Sequence, residues 1–321
     1  MSSTPGTVAF LFPGQGSQAV GMGRDLASLY PLARQTFDEA DEALGYKLSE
    51  VCFEGPEERL RLTEVTQPAI LTVSIAAFRV LQEKGLTPEY VAGHSLGEYS
   101  AHVASGTMSF ADAVRTVRNR GRYMQDAVPV GEGAMAAILG MPVAEVEQAC
   151  ADVSQGEVVQ AANINSPEQV VISGSKAAVE RAAELAKQRG AKRAVMLPVS
   201  APFHCALMQP AQERLAKDLE QIAFGAMRYP VIANVDAATM SDPDSARQAL
   251  VRQVTGSVRW LESMRLLIDR GVQTFVEAGP GKVLCGLMRQ IDRSRTCLNV
   301  EDDASLQKTL NQLLSSRSEA V

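Results

Sequence analysis

The stretch Gly93-His94-Ser95-Leu96-Gly97 sets one serine between two glycines, where a short apolar run (EYVAGH) gives way to a helical pattern (SLGEYSAHVASG). A serine nucleophile needs that placement. The glycines allow a sharp strand-to-helix turn that pushes the side chain out, and the helix N-terminus favours developing negative charge. The plainer reading of the same residues is an N-cap serine on an ordinary turn. A hydroxyl becomes a nucleophile beside a base, usually histidine, and the chain has three histidines. His94 adjoins Ser95 in an extended stretch, where successive side chains point apart. His102 lies seven residues further on, about 10 Å along a helix, too far to take the proton and better read as a surface or packing residue. Elimination selects His204, in PVSAPFHCALM. Cys205 beside it is a rival nucleophile by thiol chemistry, but no turn comparable to 93–97 surrounds it.

Elements that could position such a pair follow from the hydrophobic pattern. TVAFLF (7–12), stopped by Pro13 and Gly14, reads as a buried strand. One helix is expected from Arg24 to about Leu44, and a second over 66–85 with Thr66 as its cap and Pro68 in its first turn. EYVAGH is then a strand, SLGEYSAHVASG a helix and 110–127 another helix. Strands alternating with helices imply a parallel sheet covered on both faces. From about 128 to 200 the order changes to strand (133–140), helix, two strands around the turn NSPE, helix (176–190) and strand. That βαββαβ order is the pattern of a ferredoxin-like unit. The expected organisation is a large α/β domain made of 1–127 and 201–321, with 128–200 as an inserted small subdomain. FVEAGPGKVLCGL (275–287) adds a strand, a Gly-rich turn and a helix to the large domain.

Bulk properties narrow the function. The 321 residues are 46% hydrophobic and 21% charged, ordinary globular composition, and the net charge of -6 argues against a nucleic-acid binder. Five cysteines without a CxxC pair suggest neither a metal site nor a disulfide framework, and a reducing cytoplasm fits them. The N-terminus has no basic start and its apolar run is too short for a signal peptide or a membrane span. FPGQGSQA formally satisfies GxGxxG/A after a strand, yet the following region reads as helix where a dinucleotide site expects a strand ending in an acidic residue. Its Gln15 could instead donate a side-chain hydrogen bond to an oxyanion. EAGPGKV lacks the residues of a phosphate-binding P-loop and reads as a turn leading into a helix.

With FPGQGSQ, GHSLGEYSA, the arginine of RNRGRYM, PVSAPFH and EAGPGKVL in this order, from about residue 8 to 290, the chain resembles the malonyl-CoA:acyl carrier protein transacylases, members of the acyltransferase family of fatty-acid and polyketide synthesis. The resemblance implies an α/β-hydrolase-like large domain with a ferredoxin-like small one. It implies Ser95 as the acylated nucleophile, His204 as the base of a Ser–His dyad, and Gln15 with the backbone N–H of Leu96 as the oxyanion hole. Arg120 matches the residue that grips the malonyl carboxylate. Gln253 matches a position whose backbone carbonyl orients the histidine, and Asn163 a polar position lining the cleft. Leu96 and Phe203 fit selection of malonyl. The substrate would be malonyl-CoA, the acceptor the phosphopantetheine thiol of acyl carrier protein, with no cofactor or metal held permanently. Carrier proteins are usually acidic, so a local basic patch is expected, with Arg118, Arg122 and Lys192 as its candidates. The competing readings are a trans-acting malonyl acyltransferase of a polyketide synthase, a serine esterase, a non-enzymatic binding protein and a dehydrogenase. An esterase would show a triad Asp or Glu and give no reason for Arg120.

Overall fold

Among the described residues ten strands form, in chain order β1 (Thr7–Phe12), β2 (Tyr90–Gly93), β3 (Gly133–Leu139), β4 (Val159–Ser166), β5 (Gln169–Ser175), β6 (Arg193–Met196), β7 (Val231–Ala233), β8 (Ala238–Met240), β9 (Val272–Ala278) and β10 (Thr296–Val300). This computed structural model describes residues 7–199, 201–240 and 242–318. Ser200 and the outer ends of the expected large domain, 1–6 and 319–321, lie outside the described residues.

The strands form two sheets. The larger runs β10-β9-β1-β2-β7-β8, parallel except for the antiparallel β7–β8 edge. Its centre is β1, whose Ala9, Phe10, Leu11 and Phe12 are all fully buried, as a parallel strand covered on both faces requires. The register pairs Phe12 with Gly93, so the FPGQG loop and the GHSLG turn leave neighbouring strands at the same edge. The carboxyl ends of parallel strands are where open α/β sheets bind ligands. The smaller sheet, β4-β5-β3-β6, is antiparallel throughout and packs its apolar face on the helices Val143–Val153 and Lys176–Gln188. The smaller sheet is tied to the chain just ahead of the Trp260–Asp269 helix by a parallel bridge between Asn163 of β4 and Val258, in which Ile164 N–H donates to Val258 O (2.9 Å) and Val258 N–H to Ala162 O (2.8 Å).

Several elements differ from the sequence expectation. The stretch from Arg24 to Leu44 is two helices, Arg24–Leu29 and Pro31–Leu44, because Tyr30 is extended and Pro31 begins the second helix without an N–H to continue the first. Two short helices, Leu48–Glu54 and Glu57–Leu60, intervene, and the helix expected over 66–85 runs Thr63–Glu83, so Thr66 does not cap it; its hydroxyl donates to the Leu60 and Leu62 carbonyls, and Pro68 lies inside the helix. This helix is long and apolar enough to span a membrane, yet 89% of its most apolar window is buried in the core. β7, β8 and β10 had no counterpart, being three to five residues long, too short to show a period. Cys285 and Cys297 are joined as a disulfide across a Cα–Cα distance of 5.3 Å, correcting the expectation of unpaired cysteines. The contact arises because the Val283–Ile291 helix folds back beside β10, which residue spacing could not show. Cys52, Cys150 and Cys205 are free and buried.

His102 faces the core of the Gly97–Ser105 helix with 0% exposure, near the Phe224 ring, and neither ring nitrogen has a partner. Burial lowers its pKa to about 3, so it is neutral in the fold and gains a proton on unfolding below its ordinary value of 6.5. The folded state therefore binds fewer protons than the unfolded state between those values, and His102 costs stability increasingly as pH falls from 6.5. His102→Leu is expected to be no less stable at pH 7.5, since it buries no unpartnered polar atom. Between pH 6 and 4.5 its unfolding free energy should fall less steeply than that of the wild type, by about one proton in the slope. Urea unfolding at several pH values checks this; parallel pH dependences would contradict it.

Candidate active site

β2 stops at Gly93 and the helix begins at Gly97, leaving three residues to reverse the chain. Ser95 takes φ 51°, the left-handed region that L-residues seldom occupy. The flanking glycines are demanded by packing: a Cβ on Gly93 would sit 1.9 Å from the Gly97 carbonyl, and one on Gly97 would sit 2.1 Å from the Phe12 oxygen. Asn234 braces the turn, accepting from Ser95 N–H at its Oδ1 (2.7 Å) and donating from Nδ2 to Gly93 O (2.7 Å). Leu96 N–H, at the start of the helix, donates to no group among the described residues. Gln15 lies exposed on the neighbouring loop, whose Gly14 rests against the His94 carbonyl.

His204 Nε2 is 2.7 Å from Ser95 Oγ, and Nδ1 is 2.9 Å from the Gln253 backbone carbonyl. A carbonyl only accepts, so Nδ1 carries the hydrogen and Nε2 offers its lone pair to the Ser95 hydroxyl. His204 is buried, and desolvation, with the nearby Arg120 cation, lowers its pKa to about 3. The ring is therefore neutral near pH 7, the form a general base needs.

Arg120, on the helix Phe110–Asp126, is only 1% exposed. Its guanidinium donates to Gln67 Oε1 (2.9 Å), Gln253 Oε1 (3.0 Å) and Ser95 Oγ (3.2 Å), and it stands 5.5 Å from the centre of the Tyr99 ring. All three acceptors are neutral, and its Nε has no partner. Glu98, fully buried in the first turn of the Gly97–Ser105 helix, accepts from Gln253 Nε2 (2.7 Å) and Asn234 N–H (3.0 Å). Burial raises its pKa to about 7 against the lowering effect of those hydrogen bonds and of Arg120.

Ser95, Leu96, Arg120, His204 and Gln253 thus meet at one place. Phe203 is half-buried beside His204, packed between the two cores. Asn163 is 8% exposed at the bridge to Val258. It is Asn165, two residues on, that bonds His94 Nε2 (2.8 Å), turning the His94 ring away from Ser95 and over to the small sheet. Cys205 is buried with its thiol donating to Pro202 O (3.1 Å), and burial pushes its pKa up. Of the basic residues, Arg118 and Arg122 stack on Tyr46 and Tyr123, and Lys192 pairs with Glu168. Sequence reasoning missed Gln67, Glu98, Asn165 and Asn234. Only Glu98 carried a signal, an acidic residue in an apolar helix directly after the serine turn; the others depend on contacts distant in sequence.

A profile of the family described as "Acyl transferase domain" matches residues 9–309. The malonyl CoA-acyl carrier protein transacylase of Bacillus subtilis is 50% identical over 307 residues, covering 95% of this chain and 97% of the relative. Among solved structures, an acyl carrier protein S-malonyltransferase from Vibrio cholerae superposes with a TM-score of 0.93 at 51% identity, covering 94% of this chain and 99% of that one. A malonyl-transacylase solved in complex with its type II PKS acyl-carrier protein gives 0.93 at 48% identity, with 95% and 99% coverage.

The packing argument for the turn is directly testable. Gly97→Ala is expected to destabilise the protein by about 3 kcal/mol or more, because the clashing atom is backbone and cannot swing aside. Gly286→Ala, in a helix with nothing within 4 Å of the new Cβ, should be neutral or slightly stabilising. Chemical unfolding of both variants decides it, and a harmless Gly97→Ala would refute the steric account.

Proposed function

Because the chain belongs to the acyl transferase family, we propose a reading of its site in which Ser95 carries an acyl group from one thiol to another. The enzyme transfers the malonyl group of malonyl-CoA to acyl carrier protein and so supplies extender units to fatty acid synthesis. The accepting phosphopantetheine thiol arrives on the carrier, and malonyl-CoA is a substrate.

In this reading Ser95 Oγ attacks the thioester carbonyl while His204 Nε2 takes the hydroxyl proton. The C–S bond breaks, CoA leaves as a thiol with that proton, and malonyl remains on Ser95. The carrier's thiol then gives its proton to His204 and attacks the new ester, and Ser95 recovers its hydrogen. Leu96 N–H and Gln15 receive the oxyanion in both halves, Leu96 being free to donate. The Gln253 carbonyl fills the place a triad carboxylate would take, which favours this reading over an esterase.

The observation that carries the reading is the buried Arg120 guanidinium 3.2 Å from Ser95 Oγ. Malonate has a single carbon between its carboxylate and its thioester carbonyl. A carboxylate bidentate on Arg120 therefore brings that carbonyl to the serine. An acetyl group leaves the buried cation unpaired, and the site rejects it for that reason. Pairing of Arg120 also removes part of what depresses His204, so the proper substrate strengthens its own base. Phe203 and Asn163 are the remaining wall of the cleft in this reading.

The finer architecture belongs to the same proposal. A parallel-rich sheet bearing a serine turn supports a hydrolase-like large domain, 1–127 with 201–321. The order β4-β5-β3-β6 supports a ferredoxin-like subdomain at 128–200. We place the enzyme in the cytoplasm; its one long apolar helix is a core element and not a lipid-facing one.

Intact-protein mass spectrometry after mixing with malonyl-CoA tests the reading. The wild type should gain a malonyl adduct that holo acyl carrier protein removes, and Ser95→Ala should gain none while keeping its fold. An adduct on Ser95→Ala, or one that water clears as fast as the carrier does, would overturn it. Arg120→Ala should lower kcat/KM for malonyl-CoA by about 100-fold or more and narrow its preference over acetyl-CoA. Competition assays with the two donors check this, and an unchanged preference would remove Arg120 from carboxylate recognition.

A further inference from the structure

Among the described residues, Glu98 is the one buried carboxyl in contact with the residues around Ser95, and the reaction scheme above gives it no step. Its two oxygens differ. Oε2 accepts from the Gln253 side chain (2.7 Å) and the Asn234 backbone N–H (3.0 Å), whereas Oε1 has no partner. Gln253 Nε2 uses its other hydrogen on the Ser95 carbonyl (3.0 Å). Both amide hydrogens of Gln253 thus point at obligate acceptors, which fixes the rotation of the amide. Its Oε1 is left facing Arg120 Nη2 (3.0 Å). Were the amide turned over, an NH2 group would face the guanidinium, and a carbonyl oxygen would face two acceptors.

The second arm runs through Asn234. Its backbone N–H is held by Glu98, while its side chain bridges Ser95 N–H and Gly93 O on either side of the left-handed serine. One carboxyl oxygen therefore sets both the amide that orients Arg120 and the turn residue after β7 that braces the Ser95 turn. A proton taken up by this carboxyl sits on the unpartnered Oε1 and leaves Oε2 an acceptor, so the arrangement depends on the acceptor and not on the charge.

We propose that Glu98 is a positioning residue for malonyl selection, holding Gln253 so that Arg120 stays aimed at the substrate carboxylate beside Ser95. This rests on the reading of Arg120 as the carboxylate grip. Two near-isosteres separate the acceptor from the mere filling of space: Glu98→Gln keeps an acceptor oxygen at the Oε2 position, and Glu98→Met keeps the length without one. The readout is the rate of Ser95 acylation by malonyl-CoA and by acetyl-CoA, with near-ultraviolet circular dichroism to establish that each variant is folded.

Glu98→Met should lose malonylation by at least about tenfold, largely as a raised KM, with a smaller loss for acetyl-CoA, so that the malonyl-to-acetyl ratio falls. Glu98→Gln should keep both the rate and the ratio within about threefold of wild type. Equal losses on the two donors in folded Glu98→Met would mean a general structural role and overturn the proposal, as would an unchanged ratio. If Glu98→Met does not fold, Glu98→Gln decides alone: a preserved ratio supports the proposal and a collapsed one overturns it. The reading beneath has its own control, since a wild type that forms no malonyl adduct overturns both.

Discussion

A guanidinium that is 1% exposed, with no carboxylate touching it among the described residues, is the demand around which this molecule is arranged. Stripping water from a cation costs several kcal/mol after relaxation, roughly, unless hydrogen bonds replace it. Here they come from three separate elements: Gln67 on the Thr63–Glu83 helix, Gln253 at the end of the Pro243–Gln253 helix, and Ser95 on the turn. Neutral acceptors hold the cation in place without neutralising it. The site consequently retains an unmet preference for an anion, which in the proposed reading a substrate carboxylate satisfies. In that reading selectivity and reactivity share one group, because the same guanidinium donates to the serine oxygen and lowers the basicity of His204.

Bringing those elements together requires the larger sheet to deliver two loops to one edge. The register of β1 against β2 does so, and the glycines of the serine turn let the turn sit on the β1 loop at distances no side chain would permit. The smaller sheet is tied on by the Asn163–Val258 bridge and by the His94–Asn165 hydrogen bond one residue from Ser95. Any shift between the sheets is therefore felt next to Ser95.

Much of this was legible in the chain. The serine turn could be read because its glycines and apolar strand are contiguous, and His204 because only three histidines exist to choose from. The βαββαβ order of 133–196 was readable because those elements are long and periodic. What escaped was of two kinds. Short strands such as β7 carry no period, and the Tyr30 break sat within an otherwise unbroken helical pattern. Gln67, Asn234 and Asn165 are neutral polar residues whose meaning lies in partners 53, 139 and 71 positions away, as the Cys285–Cys297 pairing does across a turn of the chain. Arg120 stood among Arg115, Arg118 and Arg122, and spacing alone would have left it on the surface.

Gln253 serves the site twice, with its main chain toward His204 and its side chain toward Arg120. The two services differ in what substitution can reach. A carbonyl belongs to every residue, so replacing Gln253 changes the arm proposed to recognise the acyl group and leaves the acceptor for the imidazole in place. In a triad built on an aspartate, loss of that one side chain strands the base. Here, with His204 as the proposed base, its orientation is sheltered from point mutation, while the side chain at 253 is open to drift. A lineage could therefore explore new acyl groups through residue 253 by single steps, without passing through a form that has lost its general base.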